Sequence, residues 1–557
     1  MTAAARACRA AAAVLMLGGV LLGVAGAQAS LPASALVYGP PLAAPPAERW
    51  ATDPGDGVYY QVFVRSFQDS DGDGIGDLAG LTARLPYLAG LGVTGLWLTP
   101  IHPSPSYHGY DVADYRAIHP DLGTMGDFLA FVRAAHAHGM RVVLDLVANH
   151  SSDRHPWFLA ARTGDPRFRG WYRFERDPEP LIGTLGGRAW HDAGDGERYL
   201  GLFVAEMPDL DHRNPEVVDA MLEVAAFWLD LGVDGFRVDA IQHVIEGDDG
   251  TIANAPANFA WVAEFGARLR ERHPGAFMVG ETWTATQTIA AYHRDADLDM
   301  SFDFPLWRAL VGAVQRRSAI DLGAQLELNE TAYPPGARRG TFVSNHDKVR
   351  PASQVSFLRR DAAREALLGR LLLALPGTPF LYYGEEIGMP NGPGDDDRHK
   401  RTPMRWAATE EGGFTTGTPW FAPSTTDPAI SVAAQASDPD SVLEAYRAAI
   451  ALRAEHPALA HGDARVVRGL PSALLAVWRT LAGEDPVLVL ANLGNRDLEV
   501  AVADLGSPPE AAAGLQWLDA AAEAAADPDG DACVPGIDGD AVLIVPANTL
   551  WLLGPTR

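Results

Sequence analysis

Short apolar runs alternate with amphipathic segments along most of the chain. The amphipathic segments, such as 125–138 and 215–231, place apolar residues at the three-to-four-residue spacing of a helix. Eight apolar runs have the length and composition of strands: 58–64, 93–98, 141–146, 235–239, 276–281, 298–302, 341–345 and 380–383. Because each run is followed by a helical segment, the pattern predicts an α/β fold, a closed parallel (β/α)8 barrel of the TIM type rather than an open sheet.

The alternation is interrupted at two places, and these predict the domain organisation. Residues 151–206 are rich in Gly, Pro and aromatic residues over a stretch too long for an ordinary loop, which indicates an insertion after the third strand. From residue 456 to 557, short strand candidates separated by Gly, Asp and Pro turns predict a C-terminal antiparallel β domain of sandwich type. The barrel then comprises residues 54–150 and 207–455.

The N-terminal residues have the layout of an export signal. Arg6 and Arg9 precede an apolar run over 10–24, and Ala27, Gln28 and Ala29 form a small-residue cleavage site. A membrane anchor is the alternative, but the apolar run is short for a span. We therefore expect a signal peptide over residues 1–29 and a secreted or periplasmic protein. A Pro- and Ala-rich linker over residues 30–53 follows it.

Composition restricts the partners of the mature protein. With 47% hydrophobic and 21% charged residues the chain is typical of a soluble globular protein, and its formal net charge of −27 disfavours nucleic acid and anionic lipid while leaving neutral carbohydrate acceptable. Cys8 lies in the signal segment, so Cys533 is left without an intramolecular disulfide partner. We expect a monomer that does not associate with a membrane once the signal is removed.

Four of the apolar runs end in polar side chains of catalytic type: 142–150, 235–240, 277–281 and 341–347. The carboxyl ends of barrel strands converge on one face, so these side chains are predicted to share a pocket. A retaining glycosidase needs two carboxylates, one as nucleophile and one as acid and then base. Asp239 and Glu281 are the candidates. Arg237, two residues before Asp239, projects from the same strand face and is predicted to keep that carboxylate ionised.

The order and residues of these segments resemble the α-amylase family of glycoside hydrolases, and the resemblance extends over residues 57–452. It implies that Asp239 is the nucleophile, Glu281 the acid/base and Asp347 a third carboxylate that binds sugar hydroxyls. It also implies that the insertion is the small domain this family carries after the third strand. Asp145 and Asn149 are interpreted as framework residues.

The resemblance further implies substrate contacts from Tyr110, His108, His150, Arg237, His243, His346 and Arg401. Tyr110 and His108 would surround the sugar on the nonreducing side of the cut. His243 would lie beyond the cut, although the adjacent Gln242 departs from the usual amylase Lys. The alternative for the aromatic segment around Tyr110 is ordinary loop packing.

An acidic loop follows the first strand. Acids at every second position, with glycines between them, form an oxygen-rich segment suited to Ca²⁺. The twelfth position from the first acid is Gly80, so the loop is not a helix-loop-helix site. The resemblance implies a calcium site formed by the side chains of Asp69, Asp71, Asp73 and Asp77 and the carbonyl of Ile75. A solvated acidic turn is the alternative, and a second calcium site stays open.

Motifs of two subgroups occur together in this sequence. Tyr107 stands where the exo-acting glucosidases carry an Asp that closes the pocket, which favours an open cleft. Segments 382–388 and 401–406 resemble the glucosidase branch, although Arg405 replaces its usual Gln. The sequence therefore predicts an α-amylase that cleaves α-1,4 bonds in starch and maltodextrins. The alternatives are an α-glucosidase or trehalose-synthase-like transglycosylase and, in another class, a noncatalytic sugar-binding barrel, which the retained acids oppose.

Overall fold

The computed structural model describes residues 53–355, 360–506, 514–518, 537–538 and 541–555. The expected signal peptide, and the expected linker up to residue 52, lie outside the described residues. Among the described residues, no helix combines the length and hydrophobicity that crossing a membrane requires.

Within the described residues, eleven strands precede the C-terminal part of the chain: β1 (Tyr59–Val62), β2 (Gly95–Leu98), β3 (Arg141–Leu146), β4 (Phe174–Glu175), β5 (Trp190–Gly194), β6 (Glu197–Leu200), β7 (Gly235–Val238), β8 (Phe277–Gly280), β9 (Met300–Phe302), β10 (Arg338–Thr341) and β11 (Thr378–Tyr382). Eight of them pair in parallel in the order β1-β2-β3-β7-β8-β9-β10-β11 and close through β11 and β1. The predicted eight-stranded parallel barrel is confirmed.

The helices of the described residues are α1 (Leu78–Leu91), α2 (Met125–Ala137), α3 (Pro156–Arg162), α4 (Pro215–Asp230), α5 (Pro256–Arg272), α6 (Thr286–Ala296), α7 (Phe304–Arg316), α8 (Ile320–Ala332), α9 (Pro351–Val355), α10 (Ala362–Ala374), α11 (Val432–Gln435), α12 (Val442–Glu455) and α13 (Pro457–His461), of which α3 belongs to the insertion. Polar caps fix several helix starts. Asp77 accepts a hydrogen bond from Gly80 N at the start of α1, and Asp303 accepts one from Leu306 N at the start of α7.

Aromatic side chains fill the barrel interior. Tyr59 stacks on Phe380 with ring centroids 4.7 Å apart, and Phe302 meets the same ring edge-on at 4.9 Å. Gly340 leaves room for them, because a Cβ there would lie 2.9 Å from a Phe302 ring carbon. The interior is therefore a packed core, and the polar residues of the site lie on the last residues of the strands and on the loops that follow them.

The seventh barrel strand begins earlier than the sequence pattern predicts. The prediction was 341–345, whereas β10 pairs with β9 from Arg338 and ends at Thr341. A hydrophobicity pattern does not detect the start of this strand, because its first residue, Arg338, is charged. Arg338 lies at the rim of the barrel, where its guanidinium pairs with Asp53. His346 and Asp347 consequently lie on a loop beyond the strand.

Two β structures flank the barrel. Strands β4, β6 and β5 form a three-stranded antiparallel sheet between β3 and α4, within the segment predicted as an insertion. The C-terminal strands are β12 (Asp463–Val466), β13 (Leu474–Thr480), β14 (Val487–Asn492), β15 (Leu498–Ala501), β16 (Gly514–Trp517), β17 (Ile537–Asp538), β18 (Val542–Val545) and β19 (Thr549–Pro555). They form a six-stranded sheet and a β15-β18 pair around one apolar core, as the predicted antiparallel domain requires.

Candidate active site

Arg237 lies at the centre of an acidic cluster formed where β3, β7 and β8 end. Its Nη1 atom is 2.6 Å from Asp145 Oδ1 and 2.6 Å from Asp239 Oδ1, and its Nη2 atom is 2.7 Å from Glu281 Oε2. The guanidinium is buried, so these contacts are weakly screened by water. One side chain therefore holds Asp239 and Glu281 next to each other, as the convergence of strand ends predicted.

Backbone hydrogen bonds fix the two acids at the rim of the barrel. Asp239 N donates to Leu146 O at 3.0 Å, and Glu281 N donates to Val238 O at 3.1 Å. Ala240 then adopts a left-handed conformation with φ of 48°, an uncommon conformation for a residue with a Cβ. This turn aims Ala240 N at Glu281 Oε2, 3.1 Å away, and adds a donor to that carboxylate.

Burial dominates the protonation of the cluster. It raises the pKa of Asp239 above its ordinary value, although the Arg237 guanidinium acts in the opposite direction. Burial also raises the pKa of Glu281, which Arg237 again opposes and the neighbouring carboxylates reinforce. The predicted Arg237–Asp239 pair is present, but it does not outweigh the loss of water. A raised pKa suits Glu281 to carry a proton.

The pKa of Asp347 is shifted in the opposite direction from those of Asp239 and Glu281. Burial acts to raise the pKa of this carboxyl, but His346, Arg401 and Arg237 together bring it well below its usual range. Arg401 Nη2 lies 2.8 Å from Asp347 Oδ1, and Arg401 Nε donates to the His346 carbonyl at 3.0 Å. Asp347 is therefore held as an anion beside the acid cluster.

A chain of hydrogen bonds links His346 to the cluster. Gln61 Nε2 lies 2.7 Å from His346 Nδ1, and His346 Nε2 lies 2.7 Å from the Tyr110 hydroxyl. The Tyr110 hydroxyl donates to Asp145 Oδ2 at 3.0 Å. An amide nitrogen only donates, so His346 accepts at Nδ1 and carries its proton at Nε2. Burial lowers the pKa of His346 to about 3, which keeps the ring neutral.

Comparisons with known proteins agree with this geometry. The family model described as the α-amylase catalytic domain matches residues 61–462. The chain belongs to the α-amylase family. It is 35% identical to "Alpha-amylase 3" of Dictyoglomus thermophilum over 442 residues, which cover 78% of this chain and 84% of the relative. Members of the α-amylase family are retaining glycoside hydrolases, and this chain is an enzyme of that class.

Relatives with other names are nearly as similar. A "Trehalose synthase/amylase" of Mycolicibacterium smegmatis is 34% identical over 494 residues, with 78% of this chain and 83% of the relative covered. Among solved structures, the α-amylase from H. orenii superposes with a TM-score of 0.77 at 33% identity and covers 90% of this chain and 100% of its own. The α-amylase family assignment therefore leaves the specificity open.

The remaining predicted contact residues surround the cluster at different depths. His108 stacks on Tyr110 with centroids 6.1 Å apart, and its Nδ1 accepts from Tyr110 N at 3.1 Å. His150 and His243 both contact Phe203 of the insertion, with ring-centroid distances of 5.3 Å and 5.8 Å. Burial lowers the pKa of His150 to about 4, which keeps its ring neutral beside the Tyr110 backbone. Sequence reasoning missed Phe203, since an isolated aromatic carries no motif.

An aromatic row continues outward from His108. Tyr107 meets His108 edge-on at 5.5 Å and stacks on Trp420 at 5.7 Å with an interplanar angle of 27°. Arg401 lies 5.7 Å from the Tyr107 ring centre. Tyr107 therefore belongs to one wall that also includes Tyr110 and is half-buried there.

The acidic loop brings three of its predicted ligands together. One carboxylate oxygen from each of Asp69, Asp71 and Asp77 lies within 4.8 Å of the others. Asp73, also predicted as a ligand, is exposed and lies outside this group, where its Oδ1 accepts from Ile75 N at 2.7 Å. Three converging carboxylates repel one another, and oxygen donors of this kind fit Ca²⁺. The donor set thus fits the predicted ion in type.

Lys348 is the functional candidate that sequence reasoning passed over. It is one of only two lysines in the chain, the other being Lys400. The structure buries Lys348 directly after Asp347, with 7% of its surface exposed. The sequence feature that could have identified Lys348 is its position directly after Asp347, a residue of the catalytic motif.

Proposed function

We propose that this enzyme is an α-amylase that hydrolyses α-1,4-glucosidic bonds in starch and maltooligosaccharides with retention of configuration. The observation that carries the proposal is the single guanidinium of Arg237 holding Asp239 and Glu281 side by side. Retaining enzymes need their two carboxyl groups close together, because one must attack the anomeric carbon while the other reaches the leaving oxygen.

In the first step, an Asp239 oxygen attacks the anomeric carbon and the bond to the leaving oxygen breaks. Glu281 gives its proton to that oxygen, for which its raised pKa suits it. In the second step, Glu281 takes a proton from water, and the water oxygen displaces Asp239 from the sugar. Asp347 stays ionised throughout and accepts hydrogen bonds from the sugar hydroxyls as the ring distorts.

An open cleft is the basis for choosing amylase over glucosidase. Tyr107 occupies the position of the Asp with which exo-acting relatives close their pocket, and it continues the aromatic wall from Tyr110 to Trp420. Pyranose rings bind well to such faces, so the wall offers binding for sugars beyond the one that is cut. The second candidate is a trehalose-synthase-like transglycosylase, which the relative from M. smegmatis favours.

We also propose that Asp69, Asp71 and Asp77 hold a structural Ca²⁺ together with the Ile75 carbonyl, whereas Asp73 would have to turn its carboxylate away from Ile75 N to join them. The ion would neutralise the converging carboxylates and brace the loop before α1. Export is part of the proposal as well, supported by the basic, apolar and small-residue order of residues 1–29.

The test is a time course of products from amylose, maltotriose, isomaltose and pullulan. An endo-acting amylase lowers viscosity and iodine colour well before glucose accumulates, because internal cuts shorten chains long before their ends are consumed. Tyr107→Asp should impair amylose cleavage more than maltotriose cleavage, since it removes a ring from the aromatic wall that binds the more distant sugars. Glucose as the dominant first product would assign an α-glucosidase, and trehalose formed from maltose would assign the second candidate.

A further inference from the structure

Gln61 on strand β1 contacts the ring of His346 from inside the barrel. Its side chain is buried, and its Nε2 atom lies 2.7 Å from His346 Nδ1. Two aromatic rings also contact this imidazole. Tyr110 lies nearly parallel to it, at 16° with ring centres 5.4 Å apart, and Trp97 meets it edge-on at 5.8 Å. The rings restrict the plane of the imidazole, and Gln61 contacts one of its two nitrogens.

The other nitrogen of the ring faces oxygen atoms that accept. His346 Nε2 lies 3.3 Å from Asp347 Oδ2 and 2.7 Å from the Tyr110 hydroxyl. The pKa of Asp347 is well below its usual range, so this ionised carboxylate only accepts. The Tyr110 hydroxyl has a single hydrogen, which it donates to Asp145 Oδ2 at 3.0 Å. Both neighbours therefore require a proton on His346 Nε2.

This requirement leaves His346 Nδ1 as an acceptor. Burial lowers the pKa of His346 to about 3, and Arg401, Arg237 and Lys348 act in the same direction, so the ring is neutral near pH 7. A neutral imidazole carries one proton, and its second nitrogen then needs a donor. The amide of Gln61 supplies that donor.

We propose that Gln61 is a positioning residue that fixes the proton of His346 on Nε2, where it faces Asp347. Without the amide donor, part of the molecules would carry the proton on Nδ1. A lone pair on Nε2 would then face the Asp347 carboxylate, which is repulsive and withdraws a donor from the place where the sugar ring distorts. The catalytic consequence rests on the proposed hydrolysis of α-glucans, whereas the position of the proton does not.

The position of the proton can be measured in the resting enzyme. In protein labelled with ¹⁵N-histidine, a protonated ring nitrogen and an unprotonated one differ strongly in chemical shift. His346→Asn identifies the signals of this ring by their loss. We expect an unprotonated Nδ1 and a protonated Nε2 in the wild type at pH 7. A protonated Nδ1 in the wild type would overturn the inference.

Two variants test whether Gln61 sets this state. Gln61→Met keeps the approximate length of the side chain without a donor, whereas Gln61→Glu, once ionised, only accepts. At pH 8 the Nδ1 signal should move partway to the protonated position in Gln61→Met and fully in Gln61→Glu. We expect kcat on maltotetraose to fall about ten- to hundredfold in both, with KM changed less than about threefold, because the lost donor acts on the distorted sugar. Exposed Gln315→Glu is the matched control and should behave like the wild type.

Unchanged Nδ1 signals in folded variants, or a kcat equal to that of the wild type, would overturn the inference. A rise in KM alone would do the same, because it would limit Gln61 to ground-state binding. If neither variant folds, the wild-type spectrum decides the matter. A wild type that cleaves no α-glucan would refute the proposed function, while the spectra would still show whether Gln61 sets the proton. The two failures are therefore distinguishable.

Discussion

At the scale of single residues, Arg237 sets the electrostatics of the pocket. It is buried in contact with Asp145, Asp239 and Glu281, and burial raises the pKa of Asp145 to about 7 even with the guanidinium 2.6 Å away. One cation among three carboxylates leaves a shared proton as the favourable state. The pKa of Glu281 is also raised by burial, which favours its role as the proton donor, while Arg237 contacts both Glu281 and Asp239.

The two acids should respond differently to an activated leaving group. Glu281→Gln is expected to lower kcat on maltotetraose by about 10²- to 10⁴-fold, the usual contribution of a general acid. Its first step on α-maltosyl fluoride should be largely retained, since fluoride needs no proton. Asp239→Asn should abolish turnover of both substrates. Rapid mixing and steady-state rates check this, with exposed Asp219→Asn as the unaffected control.

Glu385 predicts a pH effect on stability. It is buried where the loop after β11 meets α12, with Ser344 Oγ donating to it at 2.9 Å, and burial raises its pKa to about 8. The native state therefore holds a proton that the unfolded state releases near pH 4.3. Between these values the native state binds more protons, so this stabilisation is present below pH 4 and is lost as pH rises through 8.

Glu385→Gln should consequently flatten the stability curve over this range. Melting temperatures of the wild type are expected to fall between pH 5 and pH 8 more steeply than those of the variant, because the amide does not titrate. Exposed Glu264→Gln provides the matched control and should keep the wild-type slope. Parallel curves for Glu385→Gln and the wild type would contradict the assigned proton.

At the scale of elements, the acidic loop between β1 and α1 is connected to the aromatic wall of the cleft. Asp77 starts α1 as its N-cap, while Asp69 N donates to Phe414 O at 3.1 Å. Trp420 N donates to Gly74 O at 2.8 Å, and its ring stacks on Tyr107. Bracing this loop therefore also braces the outer wall of the cleft.

Removal of Ca²⁺ should weaken both the acidic loop and the aromatic wall of the cleft. Chelation is expected to lower the melting temperature, and added Ca²⁺ at about a hundred times its Kd should restore about 2.7 kcal/mol. Affinity for maltooligosaccharides should fall with it, because Trp420 loses its support. Asp71→Asn should resemble the chelated protein and ignore further chelator. An unchanged melting curve in protein shown to be free of Ca²⁺ would refute the site.

At the scale of the whole molecule, a buried arginine joins the C-terminal sheet to the barrel. Arg479 on β13 donates to Ala374 O and to Gly462 O, each at 2.7 Å. Burial lowers its pKa to about 9, and its aliphatic stem is fully enclosed. Ser472 O also accepts from Ala319 N at 2.7 Å. The C-terminal sheet thus contributes to the stability of the barrel base, far from the acids.

Arg479→Ala should therefore reduce stability without changing the chemistry. Two buried carbonyls lose their donor, at about 1–3 kcal/mol each, and a cavity remains. Urea unfolding is expected to show a lower free energy of unfolding, while kcat per folded molecule stays at the wild-type value. Arg496→Ala at an exposed position should stay within about 0.5 kcal/mol. A selective loss of kcat in Arg479→Ala would show that the sheet acts on the site.

The sequence by itself determined what depends on local spacing. Eight strand-then-helix periods specify the barrel, and Arg237 and Asp239 share a strand face because side chains alternate with a period of two. The seventh strand was misplaced because its first residues, Arg338 and Arg339, are polar at the rim.

Only the tertiary structure decided what depends on burial and on contacts between distant segments. The raised pKa of Asp239 follows from excluded water, which no local pattern records. Phe203 reaches His150 and His243 only through the fold of the insertion, and Lys348 meets Trp283 only because the loops that follow β8 and β10 come together. Local periodicity specifies which elements form, whereas the environment of each side chain is set by residues far away in the chain.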